Sequence, residues 1–189
     1  MTETIADRYR RRAAAFTDAA AAVPADRWGD PTPCEEWTTR QLVGHVIDTQ
    51  GLFAGFVGEE IEPGPSVDDD PVAAWEFVRD QTQAFLDDPE VAGRGYEAFG
   101  GATSTYARGV DQFLSFDLVV HRWDLAKATG GDTTIPAADV EAMAAAIAVM
   151  SEKFGDAMRG PGAFGPELHA PDGCDEQTRA LAFIGRRDW

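Results

Sequence analysis

Residues 106–128 read YARGVDQFLSFDLVVHRWDLAKA. Val110, Phe113, Leu114 and Leu125 recur at the i, i+3, i+4, i+7 spacing of one helical face, and Asp117 and His121 fall on that same face. The pattern predicts a long helix that Gly130 and Gly131 stop. A carboxylate and an imidazole inside an apolar run demand a partner, because an isolated ionised carboxylate taken out of water costs several kcal/mol. Two accounts supply one: an Asp117–His121 ion pair inside a structural core, or a cation shared by both. Their i, i+4 spacing stacks the two side chains one turn apart, as helical metalloproteins present two ligands to one ion.

Outward from this segment the chain keeps reading as helices. The Ala-rich stretch from Thr4 to Val23 is a strong helix former closed by Pro24. Pro31 and Pro33 then fix an extended connection that carries Trp28 and Trp37 and is expected to pack on the core. Thr38 with Gln41 has the spacing of a capping box, opening a helix from Thr39 to Val57 that ends at Gly58. Pro71 suits the first position of a third helix through about Leu86. Gly93, Gly95, Gly100 and Gly101 make 87–105 an expected irregular loop, long enough to serve as a lid or a site wall. A further helix is predicted from Pro136 to about Met158. A Gly/Pro-rich loop follows over 160–173, and Asp175 is expected to cap a short last helix through Ile184. Helices of this length are each about 30 Å long, so the economical architecture is all-α: an up-and-down four-helix bundle with short additional helices.

At 189 residues the chain fits one domain, 1–189, with a hydrophobic fraction of 44% that is ordinary for a globular protein. A formal net charge of −17, from 33 acidic and 16 basic side chains, repels phosphate backbones and anionic lipid, so neither nucleic acid nor membrane is an expected partner. Arg8, Arg11 and Arg12 share a helical face and read as a solvated one. Cys34 and Cys174 are too far apart in sequence for a local thiolate site or dithiol motif. With no apolar run of spanning length and no apolar leader, a cytoplasmic location is expected. G-x-S-x-G, P-loop and dinucleotide fingerprints are absent, and Gly100 to Thr103 is too short for a phosphate cradle.

In the second helix His45 shares a face with Leu42 and Thr49, at the edge of the apolar stripe. With Asp117 and His121 it makes two imidazoles and a carboxylate, a donor set that suits Zn²⁺, Ni²⁺, Fe²⁺, Mn²⁺ or Co²⁺ and leaves positions for water or substrate. Asp124 could orient an imidazole, although a solvent-exposed helical aspartate is the simpler reading. His169 reads as a surface loop residue and Cys34 as a small buried hydrophobe beside Trp37. Tyr106 and Arg108 open the 106–128 helix, either at the mouth of the bundle or on plain helix surface.

Two segments carry a family resemblance: WGDPTPCEEWTTRQLVGHVID and FDLVVHRWDLAKATG. A proline-rich loop, a tryptophan and a helical histidine eight residues on, then an acidic residue four before a histidine in an H-x-W-D-L-A run, resemble the N-terminal domain of mycothiol-dependent maleylpyruvate isomerase within the DinB/YfiT-like superfamily. The resemblance implies a four-helix bundle with a divalent metal, zinc first, at one end, held by His45, Asp117 and His121. In the isomerase a glutamate stands where this chain has Asp117, and His121-Arg122-Trp123 replaces the common H-G-W. Relatives use the metal to bind and deprotonate the thiol of a small cofactor such as mycothiol, which then attacks an electrophile. The expected function is therefore a metal-dependent thiol S-transferase or isomerase acting on a small electrophile, with a small-molecule thiol as co-substrate. Because the additional C-terminal domain of the full isomerase is not recognisable, turnover of maleylpyruvate itself is not implied. The alternative is a non-catalytic metal- or ligand-binding bundle. The resemblance also raises homodimerisation as an expectation.

Overall fold

The computed structural model describes residues 3–34, 37–98, 101–160 and 163–189. Gly100, named above in the glycine-rich segment, and part of the 160–173 loop lie outside them. The chain divides into two compact units, Met1–Asp132 and Thr133–Trp189.

The first unit is built on helices α1 (Ile5–Ala21), α2 (Thr39–Phe56) and α3 (Pro71–Asp87), together with a continuous helical run from Tyr106 to Thr129. That run comprises α5 (Tyr106–Gly109), a π turn (Val110–Leu114) and α6 (Ser115–Thr129), and it succeeds α4 (Pro89–Gly93). The capping residues explain the starts: Thr4, Thr38 and Asp70 each accept a backbone N–H of the first turn. At α2 the expected capping box is complete, Gln41 answering with its side chain on the Thr38 backbone. Gly130, at φ 75°, ends α6 in the left-handed conformation that glycine adopts without steric cost.

α1 packs on α3 and α6, and α2 on α3 and α6. Tyr9, Phe16, Leu42, Trp75, Leu114, Leu118 and Leu125 are fully buried where they meet, each aliphatic side chain contributing roughly 1.5–3 kcal/mol by leaving water. The Phe16 and Trp75 rings meet edge to face at 5.0 Å, and the Trp75 indole N–H donates to Thr17 Oγ1 at 2.9 Å, so the polar handle of the ring is satisfied. Tyr9 donates to Gln50 Oε1 at 3.1 Å, tying α1 to α2 through a buried polar pair.

Three expectations need correcting. The 87–105 segment is not irregular throughout: beside α4 it forms a two-stranded antiparallel hairpin, β1 (Gly95–Glu97) with β2 (Thr103–Thr105), pairing Tyr96 with Ser104. Tyr96 is buried between exposed Gly95 and Glu97, the alternation of a short strand. Arg12 is not solvated; it is buried, with its guanidinium 3.4 Å from the Ser115 carbonyl, because α1 lies against α6 there. Tyr106 lies neither at a mouth nor on a surface but fully inside the core. Arg8 instead pairs with Asp111 of the π turn at 2.8 Å.

The second unit holds α7 (Ala137–Phe154), a 3-10 turn (Gly155–Met158) and α8 (Glu176–Phe183), which Asp175 caps as expected. α7 packs on α8. Gln177 of α8 receives the Ile135 N–H and donates to the Thr133 carbonyl, and Arg159 donates to the carbonyls of Gly165 and Phe183. His169 is exposed, as expected, and lines an open groove of about 680 Å³ with Arg179 and Phe183. Among the described residues no helix is long and apolar enough to cross a membrane.

Candidate metal centre

The chemistry-bearing residues of the first unit meet where α2 runs beside α6. His45 sits two turns into α2, behind the capping box, so a well-anchored helix start sets its position along the axis. Asp117 and His121 lie one turn apart on α6, below the π turn. Each of the three offers one ligand atom, and these atoms lie within 4.8 Å of one another. His45 Nε2 stands 4.0 Å from Asp117 Oδ2, beyond hydrogen-bond reach. The two imidazoles face each other edge on, with ring centres 5.3 Å apart.

The three donors differ in exposure. His121 is buried, whereas the side chains of His45 and Asp117 keep 22% and 33% of their surface in contact with solvent. The cluster is thus closed on the His121 side and open on the Asp117 side. Burial, reinforced by the neighbouring His121, pushes the His45 pKa down to about 4, so its imidazole is neutral near pH 7 and keeps a lone pair for coordination.

Two further residues border the cluster: Trp37, which sequence reasoning does not assign to it, and Asp124, for which the orienting role is the less favoured of two readings from sequence. Trp37 stacks on His45, ring centres 4.1 Å apart and planes 19° from parallel, and meets His121 edge on at 5.9 Å. Its backbone is fixed by the proline-rich loop: the Thr32 hydroxyl and N–H both donate to the Trp37 carbonyl, and the Trp37 N–H donates to Cys34. Cys34 is buried, as expected. The signal for Trp37 was its place immediately before the Thr38 cap, which directs the ring along the start of α2. Asp124, read from sequence as exposed, is instead fully buried, and its Oδ2 lies 3.0 Å from His121 Nδ1. The reason is that α6 has almost no solvent face: Phe116, Leu118, Val119, Val120, Trp123 and Leu125 are all buried around it.

Residues 9–126 match the family described as "Mycothiol maleylpyruvate isomerase N-terminal domain". The chain belongs to that family. The match runs from within α1 through most of α6 and contains His45, Asp117 and His121. Two proteins from strains of Mycobacterium tuberculosis, "Uncharacterized protein Rv0738" and "Uncharacterized protein MT0763", are each 33% identical to the chain over 188 residues, covering 94% of this chain and 95% of their own length. No solved structure matches significantly.

Proposed function

We propose that this member of the mycothiol maleylpyruvate isomerase N-terminal domain family is a metal-dependent enzyme of thiol chemistry. It would act as a mycothiol-type S-transferase or isomerase on a small electrophile, with His45, Asp117 and His121 as its metal ligands. α1, α2, α3 and the 106–129 helix would form an up-and-down four-helix bundle holding the ion at one end. The observation that carries the reading is the convergence of these three donors to within 4.8 Å, from two helices far apart in sequence. The family's description, which names mycothiol, supports the thiol half of it.

The donor set fits a divalent ion on chemical grounds. Two donors of one ion, with bonds of about 2.1 Å, lie at most about 4.2 Å apart. In the tetrahedral arrangement usual for zinc such donors sit about 3.4 Å apart, so separations of up to 4.8 Å close by at most about 1.4 Å, within reach of small rotations of the three side chains. Zinc is the first choice, and nickel, iron or manganese suit the same ligands. When bound, such an ion would lower the pKa of a coordinated thiol and hold it as a thiolate at neutral pH. The chain's own residues do the rest. His45 and His121 bind as neutral imidazoles and Asp117 supplies one negative charge. Trp37 covers one face of His45 and excludes water from it, while the partly exposed edge at Asp117 is the side from which thiol and electrophile would enter.

The test is metal content by elemental analysis of untagged protein, wild type beside His121→Ala, followed by thiol consumption with a small electrophile. Near-stoichiometric metal lost in the variant, with thiol turnover by the metal-replete wild type, is the expected result. Metal without turnover would leave a non-catalytic binding protein, and no metal after reconstitution with zinc, nickel, iron or manganese would overturn the proposal.

A further inference from the structure

Asp124 is a carboxylate with no exposed surface, three residues beyond His121 on the same helix. A buried carboxylate is costly to keep, since desolvation takes several kcal/mol that only well-placed donors and charges offset. One of its oxygens, Oδ2, lies 3.0 Å from His121 Nδ1. The His121 side chain is itself only 6% exposed, so this contact is shielded from competing water.

A neutral imidazole carries one proton on one of its two nitrogens, and the nitrogen without it is the one that can coordinate. A carboxylate accepts and does not donate. With Asp124 placed on Nδ1, the proton belongs on Nδ1 and the lone pair on Nε2. Asp124 and Asp117 lie seven residues apart, two turns along α6, with His121 between them. The ring is thus held at Nδ1 by an aspartate from the turn after it, while Asp117, from the turn before it, is part of the donor cluster.

We infer that Asp124 is a positioning residue for the candidate metal centre: it locks His121 as the Nδ1–H tautomer and presents Nε2 to the ion shared with His45 and Asp117. The inference rests on the metal reading proposed above for its consequence, but the tautomer can be read without any metal. A carboxylate behind a ligating histidine also raises the basicity of the ring, and loss of such a partner typically weakens metal binding 10–100-fold.

The experiment has two arms. In the first, nitrogen-15 NMR of the metal-free wild-type protein at about pH 8 assigns the His121 ring. The expected spectrum shows a protonated Nδ1 and an unprotonated Nε2, and an Nε2–H or mixed ring would overturn the inference whether or not metal binds. In the second, zinc is titrated into wild type, Asp124→Asn and Asp117→Asn, with circular dichroism to check that each is folded. Asp124→Asn, which keeps the size but loses the charge, is expected to bind one zinc with an affinity lowered 10–100-fold and to show a mixed His121 tautomer. A folded Asp124→Asn with wild-type affinity and an unchanged tautomer would overturn the inference. Should Asp124→Asn not fold, the wild-type tautomer still decides it. A wild type with the Nδ1–H ring that binds none of zinc, nickel, iron or manganese would sink the metal reading, and the positioning role with it, while leaving the tautomer assignment standing.

Discussion

His45 carries a pH signature that falls in the mildly acidic range. In an unfolded chain a histidine takes up its proton near pH 6.5, but burial delays this in the folded protein to about pH 4. Between those values the unfolded state binds the proton and the folded state does not. The stability that His45 contributes is therefore fully present above pH 6.5 and falls as the pH drops towards 4. With 22% of the side chain exposed, solvent screening limits the effect to about 2 kcal/mol. Urea melts of metal-free protein at about pH 7 and pH 4.5 should show wild type losing more stability on acidification than His45→Gln by roughly this amount; equal losses would mean that His45 is solvated in solution. His45, Asp117 and His121 were legible because their spacing set polar groups into apolar helical stripes. Asp124 and Tyr106 were not, because a stripe argument assumes a helix with one polar face, and the 106–129 helix is enclosed on nearly every side.

The helices were legible where capping residues announced them. Thr38 with Gln41, Pro71 after Asp70 and Asp175 before Glu176 each mark an observed helix start. The π turn at Val110–Leu114 was not legible, because the apolar positions on either side of it still fit a 3.6-residue period to within one residue. Nor was the hairpin: three-residue strands are too short for an alternation count, and only Tyr96 faces the core. The α2 cap offers a test at this scale, since it anchors the element that carries both His45 and, one residue upstream, the Trp37 ring. Thr38→Ala removes the side-chain oxygen that accepts the Gln41 N–H and should cost about 1 kcal/mol in urea unfolding, whereas Thr38→Asp should cost little. If alanine is tolerated without loss, the start of α2 is held instead by the Thr39 N–H on Asp30 and the Thr39 hydroxyl on Arg27.

At the scale of the whole molecule, composition predicts more about behaviour in solution than about fold. Length argues for one domain over 1–189, and a single domain unfolds in one calorimetric transition; two resolved transitions would make Met1–Asp132 and Thr133–Trp189 independent. The net charge of −17 leads to a second expectation. Acids outnumber bases two to one, so more than half of the acids have no basic partner of their own. Ion pairs such as Arg10 with Asp87 and Arg11 with Glu3 are exposed and contribute at most about 1 kcal/mol each. Salt weakens those pairs, but it also screens the repulsion among the surplus carboxylates, and the Debye length shrinks from about 30 Å at 0.01 M to about 3 Å at 1 M. Repulsion acts over the whole surface and has the larger number of terms, so screening should win. Tm is expected to rise by several degrees between low salt and about 0.5 M sodium chloride, and by a similar amount with potassium chloride, since the effect is ionic strength and not the identity of the cation. A falling Tm would show instead that ion pairs, not repulsion, dominate the electrostatics of the folded chain.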